Sequence, residues 1–157
     1  MITMGQGLSK RSALLLLVGC LCSGLLTGLA KPWKRHTIDF SSREAGKLGA
    51  DGIRLADVDG DGLPDVTTGW EQGGAIVVYR NPGAAKSKST WPSVTVGMVR
   101  GPEDAVFIDL DGDGKLDVVS SCEGSDRTMY VHWAPAKRGN YWKSRAWQTK
   151  PIPATKG

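Results

Sequence analysis

The stretch DVDGDGLPD, Asp57 to Asp65, sets four aspartates among nine residues, and DLDGDGKLD, Asp109 to Asp117, writes the same pattern fifty-two residues later. Carboxylates held this close repel one another, so such a loop is stable when something cationic sits among them. A hard divalent cation with oxygen ligands fits the need, and calcium accepts six to eight oxygens in flexible geometry. In a tightly turned loop, positions one, three, five and nine converge on a point while the residues between them face outward. That nominates Asp57, Asp59, Asp61 and Asp65 as side-chain ligands, with the backbone carbonyl of Leu63 as a fifth. The second site uses Asp109, Asp111, Asp113 and Asp117, with the carbonyl of Lys115. Gly60, Gly62, Gly112 and Gly114 let the chain bend through conformations that side chains resist. Val58 and Leu110 are expected to point into the core. The sequence thus predicts two calcium sites.

A helix–loop–helix calcium site also begins Asp-x-Asp-x-Asp-Gly, but it requires a bidentate Glu at position twelve and helices on both sides. Position twelve holds Thr68 in one loop and Ser120 in the other. The flanking residues read as strands, so this alternative is rejected.

The similarity extends beyond the loops. ADGIRLADVDGDGLPDVTTGWEQGGAIVVYRNPG lies over PEDAVFIDLDGDGKLDVVSSCEGSDRTMYVHWAP. Each runs acidic residue, apolar strand, aspartate loop, apolar strand, Gly-containing turn, apolar strand, proline. A tryptophan-led segment precedes each, WKRHTID from Trp33 and WPSVTV from Trp91, and WQTKPIP begins a further copy at Trp147. The period is roughly 52 to 58 residues. Repeat one spans about residues 33–90, repeat two about 91–146, and the start of a third 147–157.

Strands are expected over Ile53 to Ala56, Asp65 to Thr68 and Ala75 to Tyr79, and again over Ala105 to Ile108, Asp117 to Ser120 and Met129 to Trp133. These are β-branched or apolar runs bounded by Gly, Pro, Asn and Asp. Several are apolar at every position, as in strands buried on both faces. No segment after residue 30 carries an apolar period of 3.6 long enough for a major helix, and SREAGK and AAKSKS read as polar connectors. The fold class is therefore all-β. Four short strands per repeat of about 50 residues is the period of a β-propeller blade. A small β-sandwich or an open repeat stack is the alternative. Propellers close with four to eight blades, whereas this chain holds two near-complete repeats and ends at Gly157 as a third loop should approach. The expectation is an incomplete propeller belonging to a longer chain, or a short protein that assembles with copies of itself through an open blade edge.

The chain of 157 residues begins with a different kind of segment. Lys10 and Arg11 precede the apolar run ALLLLVGCLCSGLLTGLA, and Gly28-Leu29-Ala30 offers small residues for cleavage. That layout predicts a secretory signal peptide over residues 1–30, with the repeat region over 31–157. A signal anchor is less suited, since the run is interrupted by Gly and Ser and a spanning helix needs about 20 apolar residues. Leu17-Val18-Gly19-Cys20 also resembles a lipobox, which would tether the protein to a membrane through lipidated Cys20. Either route predicts a secreted, periplasmic or cell-surface protein. Beyond the leader only Cys122 remains, so no internal disulfide holds the domain, and Cys122 is expected to be a small buried core residue.

Of 20 basic residues two lie in the leader, leaving 18 against 16 acidic ones, and eight of those acids are the loop aspartates. With the loops neutralised the surface is distinctly basic, which attracts anionic polymers. The basic residues are scattered, and for an exported protein nucleic acid is not the expected partner.

The two loops, set between short strands at a blade-like period, resemble the calcium loops of FG-GAP/VCBS repeat proteins, a group that includes the β-propeller of integrin alpha subunits and many secreted bacterial proteins. The resemblance covers roughly Trp33 to Gly157. The Phe-Gly and Gly-Ala-Pro marks that name the family are not evident; NPGAA at Asn81 is at best an echo. The resemblance implies a truncated, secreted bacterial member: a calcium-stabilised propeller segment with the metal in a hairpin loop, serving as a scaffold for binding or adhesion. Some such propellers are appended to enzymes, so an accessory part of a longer polysaccharide-active enzyme is the alternative.

No catalytic constellation is legible. His36 and His132 lack a second histidine or cysteine at ligand spacing, Ser120-Ser121-Cys122 is not a nucleophile elbow, and no Gly-rich loop matches a phosphate site. Glu103-Asp104 parallels Asp51 and is read as capping a turn. Trp33, Trp91 and Trp147 recur at the repeat period and are expected to pack in the core. One of Trp70, Trp133 and Trp142 is a candidate for an exposed sugar-stacking face. The expected activity is binding without catalysis, toward a protein or polysaccharide ligand.

Overall fold

Valine, isoleucine, threonine and tyrosine crowd the segments between the glycine-rich turns, and each such segment is a strand. In the computed structural model, residues 33–40 and 49–153 are described. The leader, with both its cleavage and its lipidation readings, lies outside the described residues, as does SREAGK. The chain divides into Met1–Arg35 and His36–Gly157, and the strands of the described residues belong to the second unit.

Among the described residues, eight strands form two antiparallel sheets. The first contains β1 (Ala50–Ala56), β2 (Asp65–Trp70), β3 (Ala75–Tyr79) and β4 (Ser93–Met98), in that spatial order. The second contains β5 (Pro102–Ile108), β6 (Asp117–Cys122), β7 (Met129–Trp133) and β8 (Gln148–Pro151), again in order. Each is a four-stranded meander, the architecture of a propeller blade, and the all-β reading holds. Among the described residues the only helical pieces are two 3-10 turns, Arg138–Asn140 and Ser144–Ala146. AAKSKS forms turns.

The tryptophan-led segments do not open the sheets. The strand after Trp91 pairs with β3, and the strand after Trp147 pairs with β7, so each closes the sheet that precedes it. The sequence period and the sheets are counted from different strands, because an antiparallel return lies beside the strand it has just left. Trp147 is buried and meets Tyr141 edge-on at 5.4 Å, with its indole N–H donating to the Tyr141 carbonyl at 2.8 Å. Trp91 packs against Ala75, Val77 and Tyr79. Trp33, expected in the core, is exposed.

Alternation decides which side chains meet. Ile76, Val78, Val94 and Val96 project from one face of the first sheet onto Ala105, Val118 and Cys122 of the second, and this inter-sheet layer is the main core. Each valine or isoleucine in it contributes about 1.5–3 kcal/mol when fully buried. Cys122 lies in this layer as expected, and burial pushes its thiol pKa up to about 11. Residues of the other phase, Ala75, Val77 and Tyr79, form a smaller cluster on the far face with Ile38 and Trp70. β3 is therefore buried at all five positions.

One polar group sits inside the inter-sheet layer. His132 is fully buried, with Nε2 2.9 Å from Ser120 Oγ and Nδ1 2.9 Å from Thr149 Oγ1. A Cβ on Gly97 would stand 2.0 Å from its Nδ1, so the first sheet can approach this ring only through a glycine. His36, by contrast, is exposed. Desolvation pushes the His132 pKa down to about 4 from its ordinary 6.5. The folded state therefore keeps the ring neutral where the unfolded chain protonates it. Stability is complete above pH 6.5 and is lost as pH falls toward about 4. The expected loss from this group is about 3 kcal/mol, read by urea unfolding across that range; His132→Gln should flatten the profile.

Candidate metal centre

Both aspartate loops join the first and second strands of their sheet, β1 to β2 and β5 to β6, and so emerge at the same end of each blade. Their internal geometry repeats. Asp57 Oδ1 accepts from the N–H groups of Gly60 at 2.8 Å and Asp61 at 3.0 Å, and Oδ2 accepts from Gly62 at 2.8 Å. Asp109 accepts from Gly112 and Gly114, both at 2.9 Å. These turns need left-handed backbone at alternate residues, φ +79° and +84° at Gly60 and Gly62 and +76° and +79° at Gly112 and Gly114.

The last aspartate of each loop is structural in a second way. Asp65 is fully buried; its Oδ2 accepts from Val58 N–H at 3.1 Å and its Oδ1 from Asn81 N–H at 2.8 Å. Asp117 repeats this with Leu110 N–H at 3.2 Å and Ala134 N–H at 2.8 Å. Burial raises the pKa of both carboxyls; the backbone donors oppose the shift, and repulsion from Asp59 and Asp61, or from Asp111 and Asp113, adds to it. An ionised carboxylate is thus held where it is poorly solvated and close to others of its charge, which a cation would relieve.

The convergence of side chains differs between the loops. In loop one, carboxylate oxygens of Asp57, Asp59 and Asp61 lie within 4.8 Å of one another. In loop two the converging set is Asp109, Asp111 and Asp117. Asp65 remains with its backbone donors, and Asp113 pairs with the Lys115 ammonium, which lowers its pKa. The N–H groups of Leu63 and Lys115 bond to Asp61 and Asp113, each at 2.9 Å. Asp59 is 10% exposed; its Oδ2 meets Arg80 Nε at 2.9 Å, while its Oδ1 is buried with no hydrogen-bond partner. A buried carboxylate oxygen left unpaired in a cluster of carboxylates fits a cation-binding position. The oxygen-only donor set suits a hard divalent ion. These acidic clusters could hold a metal.

Val58 is buried between the sheets as expected, but Leu110 is 44% exposed. The repeat relation puts Leu110 beside the far face of the second sheet, on which no described strand packs. A third acidic group, Glu71, Glu103 and Glu123, also has carboxylate oxygens within 4.8 Å of one another. Partial desolvation, then the carboxylates of Glu123, Asp51 and Glu71, raise the Glu103 pKa. No linear motif marks it, since its members come from the ends of three strands. Asp104, read as a turn cap, accepts from Ala105 N–H at 2.8 Å and pairs with Arg54 of the first sheet.

Residues 57–120 match the family model of the FG-GAP-like repeat. That span holds both loops, so this part of the chain is similar to the FG-GAP-like repeat, the resemblance its loops suggested. The match and the two four-stranded antiparallel sheets are consistent with a β-propeller-type repeat scaffold. No curated protein and no solved structure matches the chain.

Asp65→Ala would strand two backbone N–H groups at the hinge of the loop. The expected cost is about 2–6 kcal/mol, from about 1–3 kcal/mol per buried donor left unpaired. Urea unfolding in the presence of chelator measures it, and Asp65→Asn, which keeps one acceptor, should lose less.

Proposed function

We propose that this protein is an exported, calcium-binding, non-catalytic repeat scaffold that presents blade surfaces to a protein or polysaccharide ligand. The observation that carries the calcium reading is the buried, unpartnered Oδ1 of Asp59 within a cluster of converging carboxylates. Calcium occupies both loops on this reading, with Asp57, Asp59, Asp61 and Asp65, and Asp109, Asp111, Asp113 and Asp117, as its side-chain ligand sets. It neutralises repulsion and stiffens the loop end of each blade.

The binding role is supported by surface. A groove of about 530 Å³ beside loop two is lined by Asp111, Trp133, Lys137, Asn140 and Gln148, an aromatic wall with amide and cationic groups suited to a hydroxylated or acidic polymer. Leu55 and Met98 on the first sheet and Ile108 and Met129 on the second are exposed large apolar side chains on the far faces. A blade-like sheet with an uncovered apolar face favours association with further blades or a second copy. Export follows the leader, with membrane attachment only through a lipidated Cys20, and nucleic acid is not a partner on this reading.

Thermal unfolding of the purified chain tests the calcium role. Calcium at a hundredfold excess over Kd stabilises by about 2.7 kcal/mol per site, a rise in Tm of about 5–10 °C. Chelator should reverse it, and an unchanged Tm would contradict the reading. Asp59→Ala and Asp111→Ala should each remove one site, with nearly additive losses because the loops belong to different sheets. Strong non-additivity would count against separate sites.

A further inference from the structure

The two loops share a motif but not their surroundings. Arg80 follows β3, and its guanidinium enters loop one: Nε is 2.9 Å from Asp59 Oδ2 and Nη2 is 3.5 Å from Asp61 Oδ2. Both aspartates belong to the converging set of that loop. Behind the guanidinium lies the Trp142 ring, 5.6 Å from Arg80 Cζ to the centroid, which favours a cation held there.

Among the described residues, no ion pair reaches the converging set of loop two. Val66 pairs with Tyr79 and Val118 with His132, so the residue following Tyr79, Arg80, corresponds to Trp133. Trp133 carries no charge. The cation local to loop two, Lys115, pairs with Asp113, which lies outside the converging set of Asp109, Asp111 and Asp117. Arg138 does not distinguish the loops, since it reaches a backbone carbonyl in each, Asp59 at 3.5 Å and Gly114 at 3.4 Å.

We infer that Arg80 is a built-in competitor for the metal of loop one, so that the two sites are graded: loop two takes calcium first, and loop one fills only when the ion displaces or outbids the guanidinium. The inference rests on the calcium reading above. A resident monocation holds two of the three converging carboxylates, and a dication entering among them meets both that pairing and the positive charge of Arg80. Loop one is therefore the site whose occupancy follows the calcium level around the protein, and loop two the site that stays filled.

Isothermal titration of calcium into the full chain tests this. Asp111→Ala leaves loop one and Asp59→Ala leaves loop two. The Asp111→Ala protein should bind calcium more weakly than the Asp59→Ala protein. Adding Arg80→Gln to Asp111→Ala should tighten the remaining site about tenfold, whereas Arg80→Lys, which keeps the charge, should leave it weak. Arg80→Gln in the Asp59→Ala background should change nothing. An Arg80→Gln that leaves loop one unchanged or weaker overturns the inference while the calcium reading stands. Should that variant fail to fold by circular dichroism, the order of the two single-site affinities decides, and equal or reversed affinities overturn it. An unmodified chain that binds no calcium overturns both.

Discussion

The loop end of each blade depends on one buried carboxylate. Asp65 stands at the first position of β2 and accepts N–H groups from the loop and from Asn81, just beyond β3. Asp117 does the same for β6, the second loop and the segment after β7. One side chain thereby fixes the loop's entry, its exit and the end of the third strand. A carboxylate is suited to this because it offers two strong acceptors, and it is expensive to bury for the same reason. The remaining aspartates add like charge around it. A cation among them would turn that liability into a rigid corner.

From that corner the rest of the blade follows. The loops set strands one and two in register, and in the first sheet the third strand is buried on both faces, whereas β7 leaves Met129 exposed on the far face of the second. Stacking is directional. The face of the first sheet that bears Ile76 and Val78 meets the face of the second that bears Val118 and His132. By the repeat relation the far face of the second sheet is the equivalent of the one that the first sheet has covered. Leu110, where the first repeat has Val58, is exposed for that reason. His132 lies against Gly97 across the two sheets, and there a polar ring is tolerated because two hydroxyl groups satisfy both of its nitrogens.

Much of this was legible from residue type. The strands Ala75–Tyr79 and Met129–Trp133 have the bounds expected from their apolar runs, and the loop glycines adopt the positive φ their position required. What the sequence could not convey was spatial. A tryptophan-led segment reads the same whether it opens one sheet or closes another; only pairing with β3 and β7 decides it. The spacing of aspartates nominates equivalent sets, yet Asp113 is drawn aside by its neighbour Lys115, and loop one is met by Arg80 from nineteen residues further along. Glu71, Glu103 and Glu123 converge from strand ends with no motif between them. In each case the missing information is which distant side chain the fold brings alongside, and no local pattern carries that.

The central claim is that the repeated aspartate loops are cation sites, and calcium stoichiometry tests it most directly. Native mass spectrometry of the full chain in calcium-containing buffer, with the chelated protein as reference, counts the ions. The account predicts two calcium ions per chain, falling to none when Asp57 and Asp109 are replaced together by alanine. A chain that carries no calcium, or that keeps two ions after both replacements, would contradict it.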